Sequence, residues 1–197
     1  MAWPKPDIPR PHHLVLAQIV AETSWLPHPE TVKQFNGPVF PTIRKKQDAH
    51  IGTPVLLNDA LVGMFDNNKT PTLALGWTHG MSGSTKGWTV AHIWPSSTDV
   101  TAYTHLANLA LVPEALSTTT DKSGPLTSYL RWHSWKEYGW RPEGIPMPQE
   151  PANYSEVQWR YLPKIQNPRA AVETNLQASK NQVLIKLRSF MKELGFQ

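Results

Sequence analysis

Nineteen prolines are spread along the 197 residues of this chain, and they limit its regular structure more than any other feature. Proline has no backbone N–H and fixes φ, so it interrupts helix interiors and central strands. Nine tryptophans accompany the prolines, and large aromatic side chains can pack irregular connections against a core. The pattern predicts short elements joined by proline-punctuated segments, and it argues against a simple helical bundle or β-sandwich.

The composition is that of a globular protein with a slight excess of positive charge. Hydrophobic residues make up 40% and charged residues 17% of the chain, so a disordered polyelectrolyte is not expected. The net charge of +4 favours nucleic acid as a partner, with the run Arg44-Lys45-Lys46 as the candidate phosphate contact. The lack of cysteine removes disulfides and thiol nucleophiles and fits a reducing compartment. Because no apolar run has the length of a signal peptide or a membrane span, we expect a cytoplasmic protein without membrane contact.

The sequence predicts three segments within one compact unit. Residues 1–75 form a helical and irregular extension that begins with an extended arm, residues 76–140 form the core, and residues 141–197 form a proline-rich connector and an amphipathic helix. The helices are predicted from the positions of proline, glycine and N-cap residues. They follow Pro11, lie within 28–35, start at Thr70, run from Pro125 to Gly139, and cover 172–194. Residues 38–57 are predicted as loop or short strand.

Two short apolar stretches in the middle of the chain each end on a proline. "WTVAHIWP" ends at Pro95 and "NLALVP" ends at Pro113, with a polar loop between them. If the two strands pair antiparallel, His92 at the end of the first lies near Asn108 at the start of the second. The Asn108 carbonyl could then accept a hydrogen bond from one imidazole nitrogen, which fixes the tautomer and leaves the other nitrogen free to take a proton. A general base that activates water near neutral pH needs this arrangement.

The pattern His92-Ile93-Trp94-Pro95, a loop, Asn108-Leu109-Ala110-Leu111-Val112-Pro113 and a helix resembles the HNH-type ββα-metal endonucleases. The resemblance covers residues 86–140. It implies an α+β fold with a small ββα-metal-like hairpin and helix core inside a mainly helical and irregular, proline-rich shell. It also implies metal-dependent hydrolysis of phosphodiester bonds in DNA, with His92 as general base and Asn108 as its orienting partner.

The chain departs from this family at the metal ligands. Ala91 stands where the family has an acidic residue or histidine, and residues 116–118 are Leu, Ser and Thr where a further histidine is expected. Asp121 is our first candidate for the ligand, because a carboxylate oxygen suits Mg²⁺ or Mn²⁺. Zn²⁺ is a further possibility, and His92 itself is a second candidate ligand. The other candidate ligands are Asp99, His105 and His133.

Several alternatives remain open at this point. His92 could be a structural histidine, Asn108 could cap a turn, and Asp121 could cap a helix. The chain could then be a non-catalytic module that binds nucleic acid or protein on a degenerate ββα scaffold, or an assembly component with a tryptophan-rich surface. We expect His79 and His105 to lie at the surface and the side chain of His133 to take part in the packing of its helix against the rest of the protein. The sequence leaves open whether the nucleic acid is DNA or RNA, which sequence it recognises and how many copies of the chain assemble.

Overall fold

Residues 12–46, 48–95, 97–120 and 124–195 are described by the structure, a computed structural model of the chain. They form an α+β fold, as predicted. The helices are α1 (His13–Thr23), α2 (Pro29–Val32), α3 (Thr70–Trp77), α4 (Thr127–Tyr138), α5 (Pro168–Ala178) and α6 (Gln182–Glu193). The strands are β1 (Thr42–Arg44), β2 (Pro54–Leu57), β3 (Ala60–Asp66), β4 (Trp88–His92) and β5 (Leu109–Pro113). The extended arm predicted for the first ten residues lies outside the described residues.

Helix α1 follows the proline-rich start of the chain, as predicted. Its buried residues are Ala17, Val20 and Ala21, and they pack with residues of α4 and of the later connector. Ile19, an apolar residue of the same helix, is 43% exposed. Small alanines therefore form the contact face, which lets α1 approach its neighbours closely.

The central hairpin is the antiparallel pair that the sequence predicted. β4 pairs with β5 in a register that places His92 opposite Leu109 and Trp88 opposite Pro113. Successive strand residues point to opposite faces of the sheet. Ala91 accordingly packs in one cluster with Leu26 and Leu130, whereas the side chains at 88, 90 and 92 share the other face.

A three-stranded sheet lies beside the hairpin, and the sequence analysis missed it. β3 pairs in parallel with β1 and antiparallel with β2. Residues 38–57 were predicted as loop or short strand, and 60–66 was given no strand at all. The signal was present in Asn58 and Asp59, which both have positive φ (50° and 62°) in the tight turn between β2 and β3. Asparagine and aspartate tolerate this conformation and favour two-residue hairpin turns.

Gly63 fixes how closely this sheet approaches the rest of the molecule. A Cβ atom at this position would lie 2.9 Å from a methyl carbon of Val100 and 3.1 Å from the backbone oxygen of Pro41. Contacts this short would force one partner to move, so only glycine fits here without a shift. The sheet is thereby packed directly against the loop that joins β4 to β5.

The C-terminal segment contains two helices where the sequence predicted one. α5 ends at Ala178, and α6 begins after Asn181, whose side chain accepts hydrogen bonds from the backbone N–H groups of Val183 and Leu184. Asparagine at an N-cap satisfies donors that a continuous helix would have bonded internally. The apolar spacing persists across the break, because both helices bury their apolar faces in the same cluster, and this explains the single predicted helix.

One hydrophobic cluster draws residues from elements that are far apart in the sequence. It includes Val32 from α2, Met64 from β3, Leu109 from β5 and Leu187 from α6. Residues from all three predicted segments thus share this core. Among the described residues, no helix has both the length and the apolar character needed to cross a membrane.

Candidate functional site

His92 is the last residue of β4, and its imidazole turns toward the loop that leads to β5. Nε2 lies 2.9 Å from the backbone oxygen of Tyr103, and the two rings stack with centroids 5.2 Å apart and planes inclined by 10°. The side chain remains partly exposed. We call His92, Tyr103 and the neighbouring Arg44 the His92 site.

The bond to Tyr103 fixes the tautomer of the His92 ring. A backbone carbonyl only accepts hydrogen bonds, so Nε2 carries the hydrogen and Nδ1 keeps its lone pair. Burial lowers the pKa of His92, the bond to Tyr103 opposes this, and the positive charge of Arg44 lowers the pKa further. The ring is therefore neutral at pH 7, and Nδ1 has no hydrogen-bond partner among the described residues. A purely structural histidine would make the same hydrogen bond to a carbonyl. Partial exposure of the ring and an available lone pair on Nδ1 are what a general base needs.

Asn108 holds both ends of the loop that supplies this carbonyl. Its side-chain oxygen accepts from the backbone N–H of Trp94 at 2.7 Å, and its side-chain nitrogen donates to the oxygen of Ala102 at 2.9 Å. Asn108 is fully buried. It therefore acts on His92 through the loop, because the clamp at Ala102 positions the next residue, Tyr103. The sequence assigned the tautomer-fixing bond to Asn108, whereas the bond described for Nε2 comes from Tyr103.

The second half of the loop between the two strands is buried, although the loop has a polar composition. Asp99 starts it with a turn in which its carboxylate accepts from the backbone N–H and the hydroxyl of Thr101. The segment from Ala102 to Asn108 that follows is buried throughout. Its polar groups are satisfied internally; the hydroxyl of Thr104, for example, bonds to both backbone groups of Phe40. The His92 site thus has a rigid wall.

The basic run leaves the three-stranded sheet beside this wall. Arg44 ends β1, and its backbone N–H donates to the oxygen of Ser97 at 2.8 Å. The side chains of Arg44, Lys45 and Lys46 are exposed. The positive charge of Arg44 also contributes to the lowered pKa of His92, so the basic run and the imidazole are electrostatically coupled.

Tyr103 is anchored from behind by a buried carboxylate. Its hydroxyl donates to Asp66 at 3.3 Å and to the side-chain oxygen of Asn68 at 3.1 Å. Asp66 also accepts from the backbone N–H and the hydroxyl of Thr70, both at 2.9 Å, at the start of α3. The site is thereby tied to α3 and to the sheet that carries Arg44.

The predicted metal ligands do not come together in the part of the chain that the structure describes. No group of three His, Asp or Glu residues within 12–46, 48–95, 97–120 and 124–195 could hold a metal ion. Asp121 lies outside the described residues. Asp99 is engaged with Thr101 in its turn, and His105 and His133 are buried elsewhere in the fold.

His79 and His105 are buried, which corrects the expectation that they lie at the surface. Only 1% of His79 and 7% of His105 is exposed. His79 accepts from the backbone N–H of His28 at 3.0 Å, and His105 stacks on Trp140 with ring centroids 4.2 Å apart. Burial lowers the pKa of each to about 4.

His133 packs inside the protein, as predicted, and both its nitrogens meet tyrosine hydroxyls. Nδ1 lies 2.6 Å from Tyr154 and Nε2 lies 3.3 Å from Tyr161. Burial, assisted by the charge of Lys136, lowers the pKa of His133 to about 3. With both nitrogens engaged, His133 has a structural role, whereas His92 keeps one nitrogen available.

Tyr103, Asp66 and Asn68 were missed by the sequence analysis. What Tyr103 supplies is a backbone carbonyl, and every residue has one, so no sequence pattern could mark it. Asp66 gave a weak signal, because an acidic residue at the end of an apolar strand and four residues before Thr70 can cap a helix.

Comparison with protein-family models, with curated proteins and with solved structures finds no match for this chain. The functional argument therefore depends on the geometry of the His92 site.

Proposed function

We propose that the chain is an HNH-like endonuclease that hydrolyses phosphodiester bonds in DNA, with His92 as its general base. The observation that carries the proposal is the hydrogen bond between Nε2 of His92 and the backbone oxygen of Tyr103. It leaves the lone pair of Nδ1 on a partly exposed ring, at the end of the first strand of an antiparallel hairpin. Arg44 is exposed on an independent element, β1, and its positive charge contributes to the lowered pKa of the ring.

The chemistry assigned to the chain's own residues is proton transfer and charge neutralisation. Nδ1 of His92 takes a proton from water as the water oxygen attacks phosphorus, and the bond from phosphorus to the leaving oxygen breaks. Negative charge grows on the phosphoryl oxygens, and the guanidinium of Arg44 offsets part of it. The proton that His92 accepts is returned to solvent or to the leaving oxygen. Asn108 positions the base indirectly, by holding the loop that contains Tyr103.

The divalent metal expected from the family resemblance is also part of this proposal. The described residues alone do not provide a ligand set, so we assign no step to the metal. Asp121 remains the proposed ligand for Mg²⁺, Mn²⁺ or Zn²⁺, with His92 as the second candidate. A thermal-shift titration of the intact protein with each metal, and with Ni²⁺, tests this part, since a ligand that binds the folded state raises the melting temperature.

Plasmid cleavage tests the general base. We expect His92→Ala to lower the cleavage rate by about 10²–10⁴-fold, the usual contribution of general base catalysis. The substitution removes one hydrogen bond and one ring contact, so the loss of stability should be small. Each kcal/mol lost lowers the melting temperature by about 2–4 °C. His50→Ala is the matched control, because this exposed histidine lies outside the site.

Two results would contradict the proposal. If His92→Ala and His50→Ala cleave equally, His92 is not the base. If the parent protein binds DNA but does not cleave it with any of the four metals, the chain is the non-catalytic binding module instead.

A further inference from the structure

A deep groove opens on the face of the hairpin that also carries His92. Its volume is about 520 Å³, and its walls include the indoles of Trp25, Trp77 and Trp88. The exposed residues 81–85 form its rim. This volume lies within the range of pockets that bind small ligands, about 300–1,000 Å³. We call this feature the tryptophan groove.

The three tryptophans are held in place by contacts outside the groove. Trp77 meets Phe40 edge to face at 5.9 Å, and the guanidinium of Arg160 lies 3.8 Å from the ring centroid of Trp25. The backbone of Trp88 is held in β4, opposite Pro113. Rings that are already ordered lose little conformational entropy when a flat ligand stacks on them.

The charges around the groove favour an anionic ligand. None of the described residues that line it is Asp or Glu; apart from aromatic and aliphatic side chains, its lining includes hydroxyls such as those of Ser82 and Thr85. Lys86 is exposed next to Thr85, and the guanidinium of Arg160 packs over Trp25. A ligand that combines flat rings with negative charge fits these surroundings.

The groove and the His92 site lie along the same strand. Trp88, Val90 and His92 alternate on one face of β4, and a strand rises by about 3.4 Å per residue, so His92 follows Val90 at about 7 Å. Val90 and Trp88 both line the groove. Trp88 lies four residues before His92, about 14 Å along the strand, so a nucleic-acid strand with one base against Trp88 would have to continue along β4 by more than one nucleotide before its backbone reaches the imidazole.

We propose that the tryptophan groove binds an unpaired base of a single-stranded nucleic acid whose backbone continues along β4 to the His92 site. The role of the groove in cleavage depends on the proposed function, but its ability to bind a strand does not. Stacking on aromatic side chains is available to every base, so the groove should tolerate any sequence.

Fluorescence titrations with a short mixed-sequence oligodeoxynucleotide test the inference. The protein carries His92→Ala, so that cleavage does not disturb the measurement, and its affinity is compared with that of the same protein bearing Trp88→Ala. Loss of one stacking platform should weaken binding of the single strand by about tenfold or more. Trp135→Ala is the matched control, since this partly exposed tryptophan lies on α4, outside the groove.

A second variant guards against the loss of folding in Trp88→Ala. Ser82→Glu introduces a carboxylate on the exposed rim without touching the core, and it should also weaken single-strand binding. A blunt duplex of the same sequence should bind less tightly than the single strand. Free dAMP should bind far less tightly, because it lacks the oligonucleotide backbone that would run along β4.

The outcomes separate this inference from the proposed function. Unchanged affinity in both Trp88→Ala and Ser82→Glu would overturn it, as would a duplex that binds as well as the single strand. Free dAMP that binds as tightly as the oligonucleotide would make the groove a mononucleotide site and overturn the assignment of a strand. If binding depends on Trp88 but the protein never cleaves DNA, the result would support strand binding by the groove and refute the proposed nuclease activity.

Discussion

Mild acid should unfold this protein, because three histidines are buried in their neutral form. Burial lowers the pKa of His79 and His105 to about 4 and that of His133 to about 3, whereas an unfolded histidine titrates near pH 6.5. Below about pH 6.5 the unfolded chain therefore binds protons that the folded chain excludes. The stability that these residues contribute is complete above that pH, and it falls as the pH drops toward their folded-state pKa values.

The size of the loss in stability follows from the shifts of the three histidine pKa values. One pKa unit corresponds to about 1.4 kcal/mol, so at about pH 5 each histidine has lowered the free energy of unfolding by about 2 kcal/mol. The three together remove about 6 kcal/mol, which is comparable to the total stability of a typical domain, about 5–15 kcal/mol. The lowered pKa of His92 acts in the same direction.

Urea unfolding followed by tryptophan fluorescence, repeated between about pH 7.5 and pH 5, measures this dependence. We expect the free energy of unfolding to fall by about 4 kcal/mol per pH unit in the steep part of the range. His133→Gln should reduce that slope by about one third, since glutamine can bond to Tyr154 and Tyr161 without titrating. His50→Gln, at an exposed position, should leave it unchanged. A flat stability profile above pH 5, or the same slope in His133→Gln, would refute the reasoning.

Two further predictions concern the His92 site. Asn108→Ala should lower the free energy of unfolding by about 2 kcal/mol, because it removes the two buried hydrogen bonds to the N–H of Trp94 and the oxygen of Ala102; a loss well under 1 kcal/mol in urea unfolding would show that the clamp is dispensable. Arg44→Ala should move the acid limb of the pH–rate profile of cleavage to higher pH, since it removes a positive charge that lowers the pKa of His92. Lys46→Ala should leave that limb in place, and an unmoved limb in Arg44→Ala would contradict the assigned coupling.

The elements that depend on local signals could be predicted from the sequence. Proline and glycine placed α4 correctly, and Gly139 at its end has a positive φ of 65°. The two proline-terminated apolar stretches predicted β4, β5 and their antiparallel pairing. These features depend on residue conformation and on the alternation of buried side chains, and both can be read from neighbouring residues.

Features that depend on partners distant in the sequence were not predictable. The parallel pairing of β1 with β3 joins residues about twenty positions apart, and β1 is too short to show alternation. The loop after β4 has a polar composition, yet its second half is buried, with Phe40 and Asn108 bonded to its polar groups. The carbonyl that orients His92 belongs to this loop, so the central contact of the site could not be found before the fold was known.

The close approach at Gly63 has a consequence for any attempt to divide this protein. The hairpin and α4 look like a portable unit, but the loop between the strands is shaped by Gly63 and Val100 on one side and by Asp66 beneath Tyr103 on another. Cutting the chain before residue 76 would remove both supports together with Arg44. Grafting the hairpin onto another scaffold would therefore transfer the histidine without the surroundings that orient its ring, and an engineer would need to carry the three-stranded sheet along with it.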